Sequence, residues 1–200
     1  MIWPFYFITH PNVVISREVP VPRWPLSPLG RSRMQAGLAQ PWVPNIGAVF
    51  CSTEQKAIDG AEILAGHLGL PWTEFEALGE NDRSATGFLP PDEFERVADQ
   101  FFAEPTKSVR GWERAADAQA RVVAAVQAVA AQVADQAKLA PGKSVAIVAH
   151  GAVGTLLHCH LAGEPIARRW DQLPNGGGNY FGFTLLPPAV SGPWQAFDKL

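Results

Sequence analysis

Two histidines, a serine and a glutamate each follow a segment with the pattern of a β-strand. They are His10, Ser52, Glu80 and His150. An imidazole that titrates near neutrality can act as a nucleophile or carry a proton, and a carboxyl group that keeps its proton can act as a general acid. Two imidazoles beside such a carboxyl group are suited to group transfer, provided that the fold brings them together.

Gly151 gives the region of His150 a second feature of an anion site. The pair His150-Gly151 lies where an apolar segment gives way to a helical pattern. The first backbone N–H groups of a helix have no partner within the helix, and the helix dipole is positive at that end. We therefore expect an anion to bind beside His150 and Gly151.

Two nearly continuous apolar segments lead to the two histidines. Residues Ile2 to Ile8 precede His10, and residues Ser144 to Ala149 precede His150. Apolar runs without polar alternation are typical of strands in a parallel sheet that is covered on both faces. Further strands are predicted at Ala48 to Cys51, Thr73 to Ala77 and Tyr180 to Leu186.

Helical patterns alternate with these strands. Ser27 followed by Pro28 predicts a helix start, because serine caps the first N–H groups and proline fits the first helical position. The predicted helices cover Pro28 to Ala39, a segment capped by Ser52-Thr53 that stops at Gly66 to Gly69, then Asp92 to Phe102, Trp112 to Lys138 and Ala152 to Leu161. The alternation predicts an α/β three-layer sandwich with a mostly parallel central sheet and helices on both faces. In such sheets ligands bind beyond the carboxyl ends of the strands, so the four polar residues above should share one edge.

The composition narrows the functional class. The chain has 200 residues, of which 47% are hydrophobic and 18% charged, and we expect one domain over residues 1–200. A net charge of -3 gives no general attraction for nucleic acid or for an anionic membrane, so neither is expected as a partner. With two cysteines and no apolar run of about 20 residues, we expect a cytoplasmic protein.

Five sequence segments together resemble the motifs of the histidine phosphatase (phosphoglycerate mutase-like) superfamily. In chain order they are Ile8-Thr9-His10-Pro11-Asn12, Pro25-Leu26-Ser27-Pro28-Leu29-Gly30, Phe50-Cys51-Ser52-Thr53-Glu54-Gln55-Lys56-Ala57, Leu78-Gly79-Glu80 and Val148-Ala149-His150-Gly151. They are similar to the family's Arg-His-Gly motif, its Leu-Ser/Thr-x-x-Gly entry to the first helix, its Ser-Ser-x-x-x-Arg-Ala segment, its acidic proton donor and its second histidine motif. The order and spacing agree over nearly the whole chain.

The resemblance implies phosphoryl transfer through a phosphohistidine, without a metal and without a cofactor. His10 is implied as the nucleophile, and His150 as the group that stabilises the charge of the transition state. Glu80 is implied as the acid that protonates the leaving alkoxide, with Asp82 as the alternative. The residues implied to bind the phosphate are Lys56, Thr9, Gly151 and Ser52.

The sequence departs from the family pattern at three positions. Thr9 and Lys56 replace two arginines, and Pro11 replaces a glycine. Arginine grips two phosphate oxygens with a planar fork, which lysine and threonine do not offer. The loss of one such partner costs a few kcal/mol of transition-state binding, or roughly a hundredfold in rate. Compensating arginines are sought among Arg17, Arg83, Arg110 and Arg114.

We therefore expect a phosphatase that acts on a small phosphorylated metabolite or on a phosphoprotein, in an oligomeric state that the sequence leaves open. A mutase is disfavoured, because nothing in the sequence argues for a pocket that returns the phosphoryl group to a particular sugar acid. The alternative is a degenerate member of the fold that binds an anion or a partner protein without turnover. Thr9 and Lys56 motivate that alternative.

Overall fold

The computed structural model describes residues 3–135 and 139–199. Its helices are α1 Pro28–Gly37, α2 Gln55–Leu68, α3 Pro91–Ala103, α4 Ala115–Asp135 and α5 Gly151–Ala162. Its strands are β1 Phe5–Thr9, β2 Ile46–Cys51, β3 Trp72–Glu74, β4 Ser144–Ala149, β5 Asn179–Leu185, β6 Pro188–Val190 and β7 Gln195–Ala196. The predicted strand residue Ile2 and the predicted end of the long helix at Lys138 lie outside the described residues.

Among the described residues the strands form one mixed sheet of seven strands in the order β3-β2-β4-β1-β5-β6, and β7 pairs with β5. Strands β1 to β4 pair in parallel, whereas β5, β6 and β7 are joined by antiparallel pairs. The predicted α/β class is confirmed. Strands β1 to β4 form the predicted parallel part of the sheet, whereas β5 pairs antiparallel with β1, and the proline-bearing tail after β5 adds two short antiparallel strands.

The two faces of the sheet carry separate hydrophobic cores. Helices α3, α4 and α5 cover one face, with Phe7 and Ile147 among its buried side chains. Helices α1 and α2 cover the other face, with Ile8 and Val148 buried there. Neighbouring residues of β1 and β4 thus point to opposite cores, which explains why both strands are apolar throughout. The result is a three-layer arrangement.

Local signals set several of the element boundaries. The side chain of Ser27 accepts a hydrogen bond from the Gly30 backbone N–H at 3.0 Å, and Pro28 opens α1 as the sequence predicts. Helix α2 begins at Gln55, two residues after Thr53, and ends at Leu68, where the next residue, Gly69, adopts a left-handed conformation. Helix α4 begins at Ala115 rather than at Trp112. No helix in the described ranges has the length and apolar character needed to cross a membrane.

Candidate active site

The pairing of β1 with β4 places the two predicted catalytic histidines side by side. Thr9 is paired with Ala149, and the His10 backbone N–H donates to the Ala149 carbonyl at 3.0 Å. His10 and His150 are therefore the first residues beyond the same edge of the sheet. Their ring centroids lie 5.2 Å apart at an interplanar angle of 66°.

His10 is held as a neutral imidazole with a defined tautomer. Its Nδ1 lies 2.9 Å from the Pro11 carbonyl oxygen. Since a carbonyl oxygen only accepts hydrogen bonds, Nδ1 carries the proton and Nε2 keeps a free lone pair. Burial, reinforced by the charge of Lys56 and opposed by the Pro11 carbonyl, lowers the pKa of His10 to about 4. The unprotonated Nε2 required of a nucleophile is thus the resting state of the ring.

His150 is completely buried and is oriented by Ser52. The Ser52 hydroxyl forms a hydrogen bond with His150 Nε2 at 2.8 Å and accepts another from the Glu54 backbone N–H at 3.1 Å. The second ring nitrogen, Nδ1, has no hydrogen-bond partner in the described part of the chain. Burial holds the pKa of His150 well below its usual value, against the opposing effect of Glu54. Ser52 therefore positions this ring in the structure.

Glu80 lies at the N-terminus of helix α5, where its carboxylate caps the helix. Its two oxygens accept the backbone N–H groups of Ala152 at 3.2 Å and Val153 at 3.1 Å. Burial raises the pKa of Glu80, although the nearby charge of Arg83 acts in the opposite direction. A raised pKa is the direction that a general acid requires, and Glu80 lines the same cavity as His10.

The loop that carries Glu80 is anchored from helix α4. Arg121 donates hydrogen bonds to the Ala77, Gly79 and Glu80 carbonyl oxygens at 2.9 to 3.1 Å. Its guanidinium also pairs with Glu113 at 2.7 Å. Asp82, the predicted alternative to Glu80, is exposed and accepts from the Ser84 backbone N–H at 2.8 Å. The structure thus brings Glu80 to the histidines and leaves Asp82 at the surface.

Lys56 is buried and forms an ion pair with Glu54, a residue that sequence reasoning missed. The Lys56 ammonium also donates to the Val21 carbonyl at 2.9 Å. Glu54 Oε1 accepts the Glu80 backbone N–H at 2.9 Å and lies 3.5 Å from His150 Nε2. Burial opposes its ionisation, yet contact with the Lys56 ammonium and the Glu80 backbone N–H holds the pKa of Glu54 below its usual value. A carboxylate therefore occupies the position between Lys56 and His150, and phosphate contact by Lys56 stays a prediction.

Thr9 is fully buried and connects the first histidine motif to the segment that precedes β5. Its hydroxyl donates to Gln172 Oε1 at 2.7 Å and accepts from the Asn179 backbone N–H at 3.0 Å. Gln172 in turn packs on Gly151, where a Cβ atom would lie 2.2 Å from Gln172 Nε2. Gly151 therefore allows Gln172 to approach the start of α5. The predicted phosphate contacts of Thr9 and Gly151 stay predictions.

Three glycines pack a loop against the residues after His10. Gly176, Gly177 and Gly178 all have positive φ angles, of 81°, 79° and 68°. A Cβ atom on Gly177 would lie 2.2 Å from the His10 carbonyl oxygen, and the Gly178 N–H donates to that same oxygen at 3.1 Å. The sequence predicts a turn here, but it gives no indication that the turn packs against His10.

A cavity of about 400 Å³ opens onto His10. Its wall includes Glu80, Gly151 and Arg83, one of the four arginines considered from the sequence. Within the described ranges, Arg110 pairs with Glu93 and Arg114 pairs with Asp117. The Arg17 guanidinium carbon lies 5.3 Å from the Phe88 ring centroid.

Comparison with known proteins identifies the family to which this chain is similar. The family model described as histidine phosphatase superfamily (branch 1) matches residues 10–184. That range covers most of the chain and includes His10, Glu80 and His150. No relative was found among curated protein sequences.

Several solved structures have the same fold at low sequence identity. A mycobacterial glucosyl-3-phosphoglycerate phosphatase in complex with inorganic phosphate aligns over 99% of this chain and 100% of its own, with a TM-score of 0.79 and 18% identity. Bacillus stearothermophilus YhfR aligns over 98% and 99%, with a TM-score of 0.75 and 22% identity. Phosphoserine phosphatase from Entamoeba histolytica, in complex with 3-phosphoglyceric acid, aligns over 98% and 99%, with a TM-score of 0.74 and 15% identity.

Proposed function

Because this chain belongs to the histidine phosphatase superfamily (branch 1), we propose that it hydrolyses a phosphate monoester through a phosphohistidine on His10. The observation that carries the proposal is the pair of neutral imidazoles at the ends of β1 and β4, 5.2 Å apart, with the lone pair of His10 Nε2 unused by any described residue. The proposed substrate is a small phosphorylated metabolite or a phosphoprotein.

In the first proposed step, His10 Nε2 attacks phosphorus and the bond from phosphorus to the ester oxygen breaks. Glu80 gives its proton to the departing alkoxide, which leaves as an alcohol. His150 stabilises the negative charge on the phosphoryl oxygens by donating an N–H hydrogen bond. The raised pKa of Glu80 supports its role, because a carboxyl group must keep its proton until the leaving group takes it.

In the second step, water attacks the phosphohistidine and the bond from phosphorus to Nε2 breaks. Glu80, now a carboxylate, accepts the proton of that water, so both residues return to their starting states and inorganic phosphate leaves. The hydrogen bond from Nδ1 to the Pro11 carbonyl supports the cycle, since Nδ1 keeps its proton while Nε2 forms and loses the covalent bond.

The second candidate is a member of the fold that binds an anion or a partner protein without turnover. The ion pair of Lys56 with Glu54 favours it. Lys56 replaces an arginine of the family motif, and its charge is neutralised by a carboxylate, while the other arginine is replaced by the uncharged Thr9. A site with fewer free cations stabilises a phosphoryl transition state less well.

The direct test compares wild-type protein with His10→Ala on 4-nitrophenyl phosphate, together with trapping of a phosphoenzyme. We expect His10→Ala to lower kcat/KM by about a thousandfold or more, as is typical for loss of a nucleophile. Wild-type protein quenched in alkali should carry one acid-labile phosphoryl group, and His10→Ala should carry none. The matched control is His67→Ala, which removes an exposed histidine at the end of α2 and should leave both readouts unchanged.

Equal and negligible rates in wild type and His10→Ala, without a phosphoenzyme, would exclude the hydrolase. Titration with inorganic phosphate then decides the second candidate. Binding that depends on the histidine pair supports an anion-binding protein, whereas no binding rejects the hydrolase and the anion-binding form of the second candidate.

A further inference from the structure

The site needs a cation that the two family positions do not provide. Thr9 carries no charge, and Lys56 is buried against the Glu54 carboxylate and the Val21 carbonyl. An approaching phosphoryl group would have to compete with a carboxylate that is already in contact with the Lys56 ammonium. A cation that binds the substrate must therefore come from another residue that lines the cavity.

Arg168 also lines the cavity but is bound to carboxylates. It forms ion pairs with Glu95 and Asp99, and its Nε lies 3.9 Å from an Asp171 oxygen. Three negative charges around one guanidinium leave no net positive charge for a phosphate. Arg168 is thus suited to joining helix α3 to the segment before β5.

Arg83 differs from both of these residues. In the described ranges no carboxylate lies within ion-pair distance of its side chain. It lines the same cavity as His10 and Glu80. Its charge contributes to lowering the pKa of His10, after the larger effects of burial and Lys56. Arg83 therefore brings a positive charge to the side of the cavity where the nucleophile lies.

Aromatic rings hold the Arg83 guanidinium in place. Its central carbon lies 5.0 Å from the Phe94 ring centroid and 5.8 Å from the Trp112 ring centroid. Trp112 is itself fixed, because its indole N–H donates to the Thr86 hydroxyl at 2.8 Å. A guanidinium that packs on aromatic faces keeps its N–H groups free at the edges, and those edges can bind two oxygens of a phosphate.

We propose that Arg83 is the phosphate-binding cation of this site and compensates for the two arginines of the family motifs that this chain replaces with Thr9 and Lys56. The proposal rests on the assignment of His10 and His150 as the phosphoryl site. The proposal does not require that the protein hydrolyses its ligand. A bound phosphate needs a cationic partner whether or not the phosphoryl group is transferred. The residue reaches the site from the loop after Glu80, a different part of the chain from either family motif.

The test measures the binding of inorganic phosphate by titration calorimetry and, in parallel, kcat/KM for 4-nitrophenyl phosphate. Arg83→Gln removes the charge and keeps much of the length of the side chain. We expect it to weaken phosphate binding by about 10- to 100-fold, the usual effect of losing a charge-assisted contact. Arg83→Lys should recover only part of the affinity, because lysine lacks the fork. Arg114→Gln is the control, since Arg114 is an exposed arginine paired with Asp117.

The two readouts separate this proposal from the assignment of activity. If wild-type protein binds phosphate but does not hydrolyse the ester, the hydrolase is excluded while Arg83 is still tested by binding. Phosphate affinity that is unchanged in Arg83→Gln overturns the role of Arg83. The same holds if Arg83→Gln and Arg114→Gln weaken binding equally, which would indicate only a general effect of net charge.

Discussion

The burial of His10 predicts a measurable dependence of stability on pH. In the folded protein its pKa is about 4, whereas a histidine in an unfolded chain has a pKa of about 6.5. Between these pH values the unfolded chain binds a proton that the folded chain does not, so the free energy of unfolding falls as the pH falls. The contribution of His10 is fully present above pH 6.5 or so and is lost progressively toward pH 4.

The magnitude follows from the two pKa values. Lowering the pH from 7 to 5 protonates almost all unfolded chains at His10 but only about a tenth of the folded ones, which costs about 2 kcal/mol of stability. His10→Gln removes this group and keeps a donor for the Pro11 carbonyl. Urea unfolding at both pH values should therefore show a loss of stability on acidification that is about 2 kcal/mol smaller in the variant than in the wild type.

Two comparisons keep the result specific to His10. His150, which is also buried as a neutral ring, is present in both proteins, so its contribution largely cancels. His67→Gln removes an exposed histidine and should reproduce the pH dependence of the wild type. If wild type and His10→Gln lose the same stability between pH 7 and pH 5, His10 is not held neutral by the fold. The argument for an imidazole that is ready to attack phosphorus would then fail.

Three further substitutions test how the site is built. Gly177→Ala should destabilise the protein by about 1–3 kcal/mol in urea unfolding and lower kcat, because the new Cβ would strain a positive φ and press on the His10 carbonyl. Ser52→Ala should cost about 1 kcal/mol and lower kcat about tenfold, because His150 loses the hydrogen bond that orients its ring. Glu80→Gln should slow the hydrolysis of an alkyl phosphate by about 100-fold and that of 4-nitrophenyl phosphate much less. Only the alkoxide leaving group needs a proton to leave.

Each of these three predictions has a control or an outcome that would contradict it. Gly69→Ala strains a similar positive φ of 64° in open space, so equal effects of Gly69→Ala and Gly177→Ala on kcat would rule out the contact with His10. If kcat is unchanged in Ser52→Ala, Ser52 does not position the His150 ring for catalysis. Equal slowing of both esters in Glu80→Gln would show that Glu80 is not the proton donor.

The sequence predicts those parts of the fold that local patterns determine. Strand β4 is predicted at its observed bounds, because an apolar run between turn formers has one interpretation in an alternating α/β chain. The start of α1 follows from Ser27 and Pro28 alone. The proximity of His10 and His150 follows from the rule that parallel strands end at the same edge of a sheet, together with the pairing of β1 with β4.

The parts that the sequence does not reveal depend on contacts between distant segments. Thr9 and Gln172 are 163 positions apart, and no local signal marks Gln172 as a neighbour of the site. Strands β6 and β7 have three and two residues, too few for a period to be recognised, and they form because β5 offers them a partner. Glu54 lies in a segment that resembles a family motif, but its ion pair with Lys56 depends on how both side chains are buried together.

The arrangement of charge indicates which residue can bind a phosphoryl group at the proposed site. Lys56 and Glu54 neutralise each other, and both histidines are neutral at rest, so Arg83 is left as the free positive charge among the described residues that line the cavity with His10. Burial disfavours protonation of His10, and an unprotonated imidazole is the form that attacks phosphorus. A more cationic pocket would bind a phosphate dianion more tightly, but it would not make this nucleophile more available, since His10 is already unprotonated at neutral pH. If His10 is the nucleophile, we expect the two replaced arginines to weaken binding of the phosphoryl group, and Arg83 is the residue proposed to offset that loss.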